Sequence, residues 1–309
     1  MRAIVVERFG GPEVLRIAEI DEPRPGPGQV RIRVRAAGVN PLDWKIRSGH
    51  APFPITLPHV GGLEVAGVVD EVGEGVGSVS IGDEVLGLSV EGFAEHAVLT
   101  TFAPKPAGLS WIAAAALPVA GETATRVLGQ LGVTPTDTLL VHGAAGSAGA
   151  AAAQLAVAAG ATVVGTVRRP EQLALLERWG VVPVLADERL VERVREAAPH
   201  GVDLALDCAG SGALGDLVEL TGSAARVVTI ADPSAAEHGV RFSAGGGTPR
   251  AEDLARVADL VVAGRFELLL GRTYPYERAG EAQIASRAGA TDGKLVLVPD
   301  EHEATGPRP

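Results

Sequence analysis

Cysteine and aromatic residues are the scarce materials of this 309-residue chain. A single cysteine, Cys208, excludes an internal disulfide and any cysteine-cluster metal site, and it fits a reducing compartment. Aromatics make up 4% of the residues, so the cores must be filled by Ala, Val, Leu and Gly, a mix that suits a parallel sheet under close-packed helices. No apolar run reaches the ~18 residues of a membrane span. The opening MRAIVVERFG has no signal-peptide h-region. Positive charge is in the minority: 27 Lys+Arg against 38 Asp+Glu leave a formal net charge of −11. That balance argues against nucleic acid and anionic membranes as partners. A soluble, cytoplasmic protein is expected.

Apolar residues are plentiful at 46%, and the length exceeds the usual single domain, so two domains are expected. Residues 1 to about 110 read as β-rich. Short runs such as Val30–Val34, Val65–Val72 and Ala94–Leu99 are separated by Gly/Pro punctuation, including PRPGPGQ at Pro23–Gln29, with little helix between. From about Ser110, after a helical stretch at Trp111–Leu131, strands and helices alternate. Strands are expected at Thr138–Gly143, Ala161–Val167, Val181–Ala186, Val202–Cys208 and Ala225–Ala231. Helices are expected at Ser147–Gly160, Pro170–Trp179, Glu188–Ala198 and Gly212–Leu220, a βαβ series that implies a parallel, doubly wound sheet. Thr248–Gly264 reads as a further helix, followed by a strand, a helix near Glu277–Ala288 and the strand Lys294–Val298. Periodicity does not decide which domain these last elements complete. The polar tail Glu301–Pro309 reads as disordered.

The segment with the most chemical content is TLLVHGAAGSAG, Thr138–Gly149. An apolar strand ends in a glycine turn and a helix begins at once. Bare N–H groups at such a helix start can approach a pyrophosphate, where the helix dipole favours negative charge. Ala144, Gly146 and Gly149 fall at the three glycine positions of the dinucleotide fingerprint. A plain strand-to-helix connection can look alike, but the strand before and the helix after favour a nucleotide and hence a nicotinamide cofactor. NAD enzymes commonly place an acid at the end of the next strand for the ribose 2′-hydroxyl. Here GTVRRPE offers Arg168 and Arg169, with no acid until Glu171. A carboxylate repels a 2′-phosphate, whereas guanidinium binds it through charge-assisted hydrogen bonds, so NADPH is the expected cofactor. Either arginine can instead be an ordinary surface charge.

AAGVNPLDWKIRSG (Ala36–Gly49), GLEVAGVVDEVGEGV (Gly62–Val76), IGDEVLG (Ile81–Gly87) and GFAEHAVL (Gly92–Leu99) add a wider pattern. AAALPVAGETA (Ala114–Ala124), LVHGAAGSAG (Leu140–Gly149), GVDLALDCAG (Gly201–Gly210) and DGKLVLV (Asp292–Val298) continue it in order. From Met1 to about Pro299 the chain resembles the zinc-free branch of the medium-chain dehydrogenase/reductases, the quinone oxidoreductase-like proteins. The resemblance implies an α/β architecture: a GroES-like β-rich catalytic domain (1–118 and 265–309) and an inserted doubly wound Rossmann domain (119–264), with the active site in the cleft. It implies a homodimer, a small quinone or enone as substrate, and hydride transfer from NADPH. A biosynthetic enoyl reductase, or a tailoring enzyme on the same scaffold, is the alternative among enzymes. An NADPH-binding protein with a structural or regulatory role and no turnover is the alternative outside them. The implied cofactor contacts are Asn40, Thr123, Gly143, Ala144, Ala145, Gly146, Ser147, Ala148, Gly149, Arg168, Arg169, Cys208, Ala209, Ile230 and Lys294.

Catalytic candidates gather in one segment: Asn40, Asp43, Lys45 and His50, with Trp44 between them. Asn40 can hydrogen-bond the cofactor or orient a substrate carbonyl. Asp43 and Lys45 can equally be a surface ion pair worth little. His50 has an imidazole suited to proton transfer near neutrality, or is a solvent-exposed loop residue. Tyr274 and Tyr276 fall in a segment expected to be structural, and Cys208 reads as a packing residue because no base accompanies it. Where zinc-dependent relatives carry ligands, this chain has Asn40, Leu63 and Ala120, and His59 alone cannot make a site. Elemental analysis of the purified protein should therefore find well under one zinc per chain, and chelator should leave activity unchanged. Stoichiometric zinc lost together with activity would refute this.

Overall fold

Along Val30–Val39 the side chains alternate between core and surface at first. Val30, Ile32 and Val34 point inward while Arg31, Arg33 and Arg35 point out, the period-2 pattern of a half-covered strand. Its last residues, Ala36–Val39, are all buried. The computed structural model describes residues 1–245, 249–289 and 293–299. The tail expected to be disordered and Asp292 of the DGKLVLV segment lie outside the described residues. The chain divides into one unit of Met1–Val119 with Pro249–Pro309 and another of Ala120–Thr248.

In the first unit, strands run in the order Leu270–Pro275, Lys294–Val298, Val30–Val39, Glu64–Val72, Glu84–Leu88, Thr101–Pro104, and His96–Leu99 also pairs with Val30–Val39. Val30–Val39 is antiparallel to both long neighbours, with Val296 opposite Gly38 and Val65 opposite Ala37. A smaller sheet joins Leu15–Glu19, Arg2–Val6 and His59–Val60. Branched aliphatics of several strands, among them Ile4, Ile32, Val65, Leu99 and Leu297, make one core with Phe93 and the buried Tyr274 and Tyr276. A seven-residue helix, Pro41–Arg47, interrupts this β-rich region. It is too short for periodicity to reveal, and Pro41 at its first turn starts it without losing a needed N–H.

Two departures from expectation have plain causes. The helical stretch at Trp111–Leu131 is two helices, Trp111–Ala115 and Pro118–Leu131, because Pro118 cannot continue the preceding turn. The helix Ala251–Val262 groups with the first unit and packs near Thr101–Pro104, whereas the expected division grouped it with the nucleotide domain. Its stripe of Leu254, Val257 and Ala258 is buried as periodicity requires, but periodicity names the buried face and not the surface that buries it.

The second unit holds a six-stranded parallel sheet in the order Val182–Leu185, Thr162–Val167, Thr138–His142, Leu204–Asp207, Val227–Thr229, Arg241–Phe242. Numbered along the chain this is 3-2-1-4-5-6, the doubly wound order whose direction reverses between strands 1 and 4. The sixth strand has two residues, below what a sequence pattern can reveal. Helices sit between the strands as expected, with ends shifted by a residue or two and with Pro170–Gln172 a 3-10 turn ahead of the helix Leu173–Arg178. Among the described residues no helix is long and apolar enough to cross a membrane.

The glycines of the first strand–helix turn separate by purpose. Gly143 has φ +85°, the left-handed turn itself, so this residue and not Ala144 performs the tight turn. Ala144 has an ordinary φ and is fully buried; its Cβ occupies the space that Gly165 leaves open. At Gly149 a Cβ would collide with the Gly143 carbonyl oxygen and lie 3.1 Å from Ala144 Cα, so helix and turn pack backbone to backbone. At Gly146 the nearest atom would be 3.5 Å away, an ordinary contact. Gly149→Ala should therefore lower unfolding stability by ~1–3 kcal/mol, whereas Gly146→Ala should cost less than about 1 kcal/mol. Equal losses in chemical denaturation would refute this division of roles.

Candidate cofactor and active site

In the second unit the site grows from strand ends. Four strands stop at one edge of the sheet, and each stopping point is a buried polar residue or its neighbour. His142 and Thr166 are in register on adjacent strands, as are His142 and Asp207 across the reversal point. Thr166 Oγ1 accepts the Gly143 N–H at 3.2 Å and lies 2.7 Å from His142 Nδ1. His142 Nε2 lies 2.9 Å from Ser211 Oγ, so both ring nitrogens have a hydroxyl partner. Burial lowers the His142 pKa; Asp207 and Asp216 oppose this and Arg168 reinforces it, so the ring is held neutral.

Asp207 works the same way one strand over. Its Oδ1 accepts the N–H groups of Ala209 and Gly210 at 2.9 and 3.1 Å, and its Oδ2 accepts Thr229 Oγ1–H at 2.7 Å. Thr229 Oγ1 in turn accepts the N–H groups of Ala231 and Asp232. Three loops are thus tied down from beneath. Gly143 and Ala209 meet, since a Cβ on Gly143 would lie 3.1 Å from that of Ala209, and Ile230 follows in the next loop. The expected set from Gly143 to Gly149 with Cys208, Ala209 and Ile230 therefore shares one edge of one sheet. Burial pushes the Cys208 thiol pKa well up, aided by Asp207, so it stays a packing thiol.

The helix Ser147–Ala158 begins at this edge with Gly146 as its cap residue, no side-chain capping bond and no acid in its first turn. Gly146 and Ser147 are exposed, while Ala145 and Ala148 are half-buried. This helix start leaves its first N–H groups without a side-chain partner, and a Cβ on Gly146 would sit at ordinary contact distance from the Gly143 carbonyl oxygen. Arg168 and Arg169 follow the adjacent strand. Arg168 is exposed, and Arg169 is half-buried with Glu171 3.7 Å away. Thr123 lies nearly buried on the helix Pro118–Leu131, its hydroxyl near Glu122 and Arg126.

In the first unit the expected catalytic segment is mostly committed to structure. Asn40 caps the helix Pro41–Arg47. Its N–H donates to Asp43 Oδ2 at 2.6 Å, and Asp43 Oδ1 accepts the Gly62 N–H at 3.3 Å. Asp43 is 3% exposed, so it is neither a surface ion-pair partner of Lys45 nor open to a substrate. Its two oxygens serve the backbone. Lys45 instead places its ammonium 5.8 Å from the centre of the Trp44 ring, with Arg287 also near that ring at 5.5 Å. His50 is exposed, with Nδ1 3.0 Å from Ser48 Oγ. Lys294, expected at the cofactor, is 3% exposed, and its Nζ is taken by Asn40 Oδ1 at 2.5 Å and by Glu64 Oε1.

Glu64 is the residue that sequence reasoning missed. It is fully buried, accepts Asn40 Nδ2–H at 2.9 Å through Oε1, and accepts the Val119 N–H at 2.7 Å through Oε2. A signal was present: the apolar strands EVAGVV and KLVLV each open on a charge, and the two charges are opposite. The zinc positions offer a poor donor set. Leu63 and Ala120 have no ligating atom, the Asn40 amide is engaged, and among the described residues no three His, Cys, Asp or Glu converge. Zinc does not fit there.

A family model described as an alcohol dehydrogenase GroES-like domain matches residues 26–104, and one described as a zinc-binding dehydrogenase matches residues 148–245. The quinone oxidoreductase of Rattus norvegicus is 32% identical, over 96% of this chain and 98% of its own. The solved quinone oxidoreductase from Coxiella burnetii is 28% identical with a TM-score of 0.84, covering 97% of this chain and 99% of that one. A mycobacterial protein solved in complex with NADPH is 29% identical with a TM-score of 0.81, covering 97% and 100%.

The Asp43 carboxyl carries a testable pH signature. Burial pushes its pKa up to about 7, against the N–H of Asn40, the charge of Lys294 and the N–H of Gly62, and with a further push from Glu64. An acid whose pKa is higher folded than unfolded stabilises the fold fully below the unfolded value near 4, and that contribution fades as pH rises through the folded value. The stability gap between wild type and Asp43→Asn should therefore shift against wild type between pH 4 and 7, by up to about 1.4 kcal/mol per pH unit. A gap constant across urea titrations at pH 4.5, 6 and 7.5 would contradict it.

Proposed function

The chain belongs to the quinone oxidoreductase-like medium-chain dehydrogenase/reductases and is an oxidoreductase of that family, and from this premise we propose an NADPH-dependent, zinc-independent reductase of quinones or α,β-unsaturated carbonyl compounds. One observation carries the reading. The helix Ser147–Ala158 starts uncapped beside a glycine whose missing side chain the protein's own packing does not require, and the adjacent strand is followed by two arginines where an acid would select NADH. The residues fit the cofactor. Backbone N–H groups of Ser147, Ala148 and Gly149 would hold the pyrophosphate, and Ala144, Ala145, Thr123, Cys208, Ala209 and Ile230 would line its course. Arg168, with Arg169 behind it sharing charge with Glu171, would hold the 2′-phosphate.

When bound, NADPH supplies the hydride. The chain's own part is to orient and to keep water out. Asn40 donates an N–H to a carbonyl oxygen, which stabilises the enolate or hydroquinone oxygen that develops there. His50, exposed and with Nδ1 beside Ser48 Oγ, is placed to exchange protons with solvent. The lone cysteine, an unreactive thiol in this setting, supports a reducing, cytoplasmic location.

The test is a titration paired with a turnover panel. Replacing Arg168 and Arg169 together by alanine should weaken NADPH binding roughly 10- to 150-fold, the value of a charged hydrogen bond, and leave NADH nearly unchanged. Equal losses for the two cofactors would refute the 2′-phosphate assignment. Across a panel of quinones and enones NADPH oxidation should be measurable for at least one; tight NADPH binding with no turnover on any would refute the enzymatic reading.

A further inference from the structure

Asn40 is the only asparagine in 309 residues, and Lys294 is one of only three lysines. Both are spent on one buried cluster. Glu64 Oε1 faces Lys294 Nζ and Asn40 Nδ2, Lys294 Nζ also faces Asn40 Oδ1, and all three side chains are at most 5% exposed. Room for the carboxylate is made by Gly38, where a Cβ would strike Glu64 and come within 2.6 Å of the Ala115 carbonyl oxygen. Stability alone does not explain a buried ion pair, since desolvation of the two ions tends to cancel their attraction, and packed aliphatics do as well or better. What the pair does supply is direction.

An asparagine amide has a donor end and an acceptor end of nearly equal size. Here the acceptor end meets an ammonium, which can only donate, and the donor end meets a carboxylate, which can only accept. Turning the amide over would set NH₂ against NH₃⁺ and C=O against COO⁻. The amide therefore has one orientation. Glu64 takes one Nδ2 hydrogen, the carbonyl oxygen is engaged by Lys294, and among the described residues the second Nδ2 hydrogen is the group left to offer. We propose that Glu64 and Lys294 are positioning residues that lock Asn40 as a hydrogen-bond donor, so that the ligand group received at Asn40 is an acceptor, a carbonyl oxygen. This rests on the reductase reading for its substrate class, and it gives Lys294 a role through Asn40 in place of direct contact with the cofactor. The backbone of Asn40 is held separately by Asp43, so the lock concerns the side chain alone.

Because the asparagine is unique, asparagine-selective ¹⁵N labelling of the full chain leaves a single side-chain amide in the spectrum. In the ligand-free protein the hydrogen on Glu64 should lie downfield and exchange with solvent more slowly than its geminal partner. Adding 2-cyclohexenone with NADP⁺, a combination that cannot react, should move the partner hydrogen. The double variant Glu64→Leu/Lys294→Met removes both charges together and so leaves no lone buried ion. It should remain folded, lose both signatures and turn over about tenfold or more slowly, the value of one well-placed hydrogen bond, with an unchanged KM for NADPH. Lys294→Arg keeps a donor opposite Oδ1 and should restore both rate and spectrum.

Equivalent behaviour of the two hydrogens in the wild type, or full turnover by the double variant, would overturn the lock. A locked amide that no carbonyl compound moves would overturn the donor role. If the wild type reduces no quinone or enone at all, the proposed reaction fails, while the amide spectrum of the ligand-free protein still decides whether the lock exists.

Discussion

A carboxylate sealed from water must find its hydrogen bonds inside the protein, and the answer to that demand at Glu64 organises the first unit. Its ammonium partner comes from the start of Lys294–Val298, the last strand of the sheet, and its N–H partner from the second residue of the helix Pro118–Leu131. The central strand Val30–Val39 must carry glycine at position 38 to make space, and Asn40 just beyond it fills the remaining corner. Segments separated by 254 positions are thereby brought to one point before any ligand is considered. The same carboxylate sits at a helix N-terminus, where the macrodipole favours negative charge. Each partner satisfies a need of its own by meeting Glu64.

The second unit solves a related problem at the edge of its parallel sheet. Strand ends there must turn into loops with many backbone N–H groups, and those groups cannot be left buried and unpaired. Thr166, Asp207 and Thr229 accept them from within, and His142, kept neutral, bridges the strands at the reversal of strand order. The first turn of Ser147–Ala158 has no side chain doing this, and its cap residue is the exposed Gly146. The loops are thus hydrogen-bonded on their inner side, while the first N–H groups of Ser147–Ala158 take no side-chain cap. Zinc, by contrast, finds no set of donors around Asn40, because the charges there are already paired with each other.

Much of this was legible in the residues. The βαβ alternation after Ser110 became the parallel sheet, and Gly146 and Gly149 sit where a fingerprint places them. The order of motifs led to the family. Misreadings cluster where a local pattern has two three-dimensional outcomes. DWK is compatible with catalytic groups or with a surface ion pair, yet the cap geometry of Asn40 draws Asp43 inward and leaves Lys45 beside Trp44. Ala144 occupied the first fingerprint position by spacing, while the left-handed φ falls one residue earlier, at Gly143. Glu64 passed as part of an apolar strand because its partners lie 24, 55 and 230 positions away in the chain, beyond any local window.

By itself the sequence determined the longer elements, the parallel second sheet, the glycine turn into a helix with arginines after the next strand, and the lack of ligating side chains at Leu63 and Ala120. All of these follow from short-range rules: period-2 and period-3.6 burial, glycine's freedom at positive φ, and the chemistry of single side chains. Tertiary structure alone decided which unit receives the helix Ala251–Val262, that Asp43 and Lys294 are buried, and that the asparagine amide faces one way. Those outcomes depend on desolvation and on charge pairs between distant segments. Their sign is set by what the fold brings within about 3 Å, a quantity that no stretch of neighbouring residues contains.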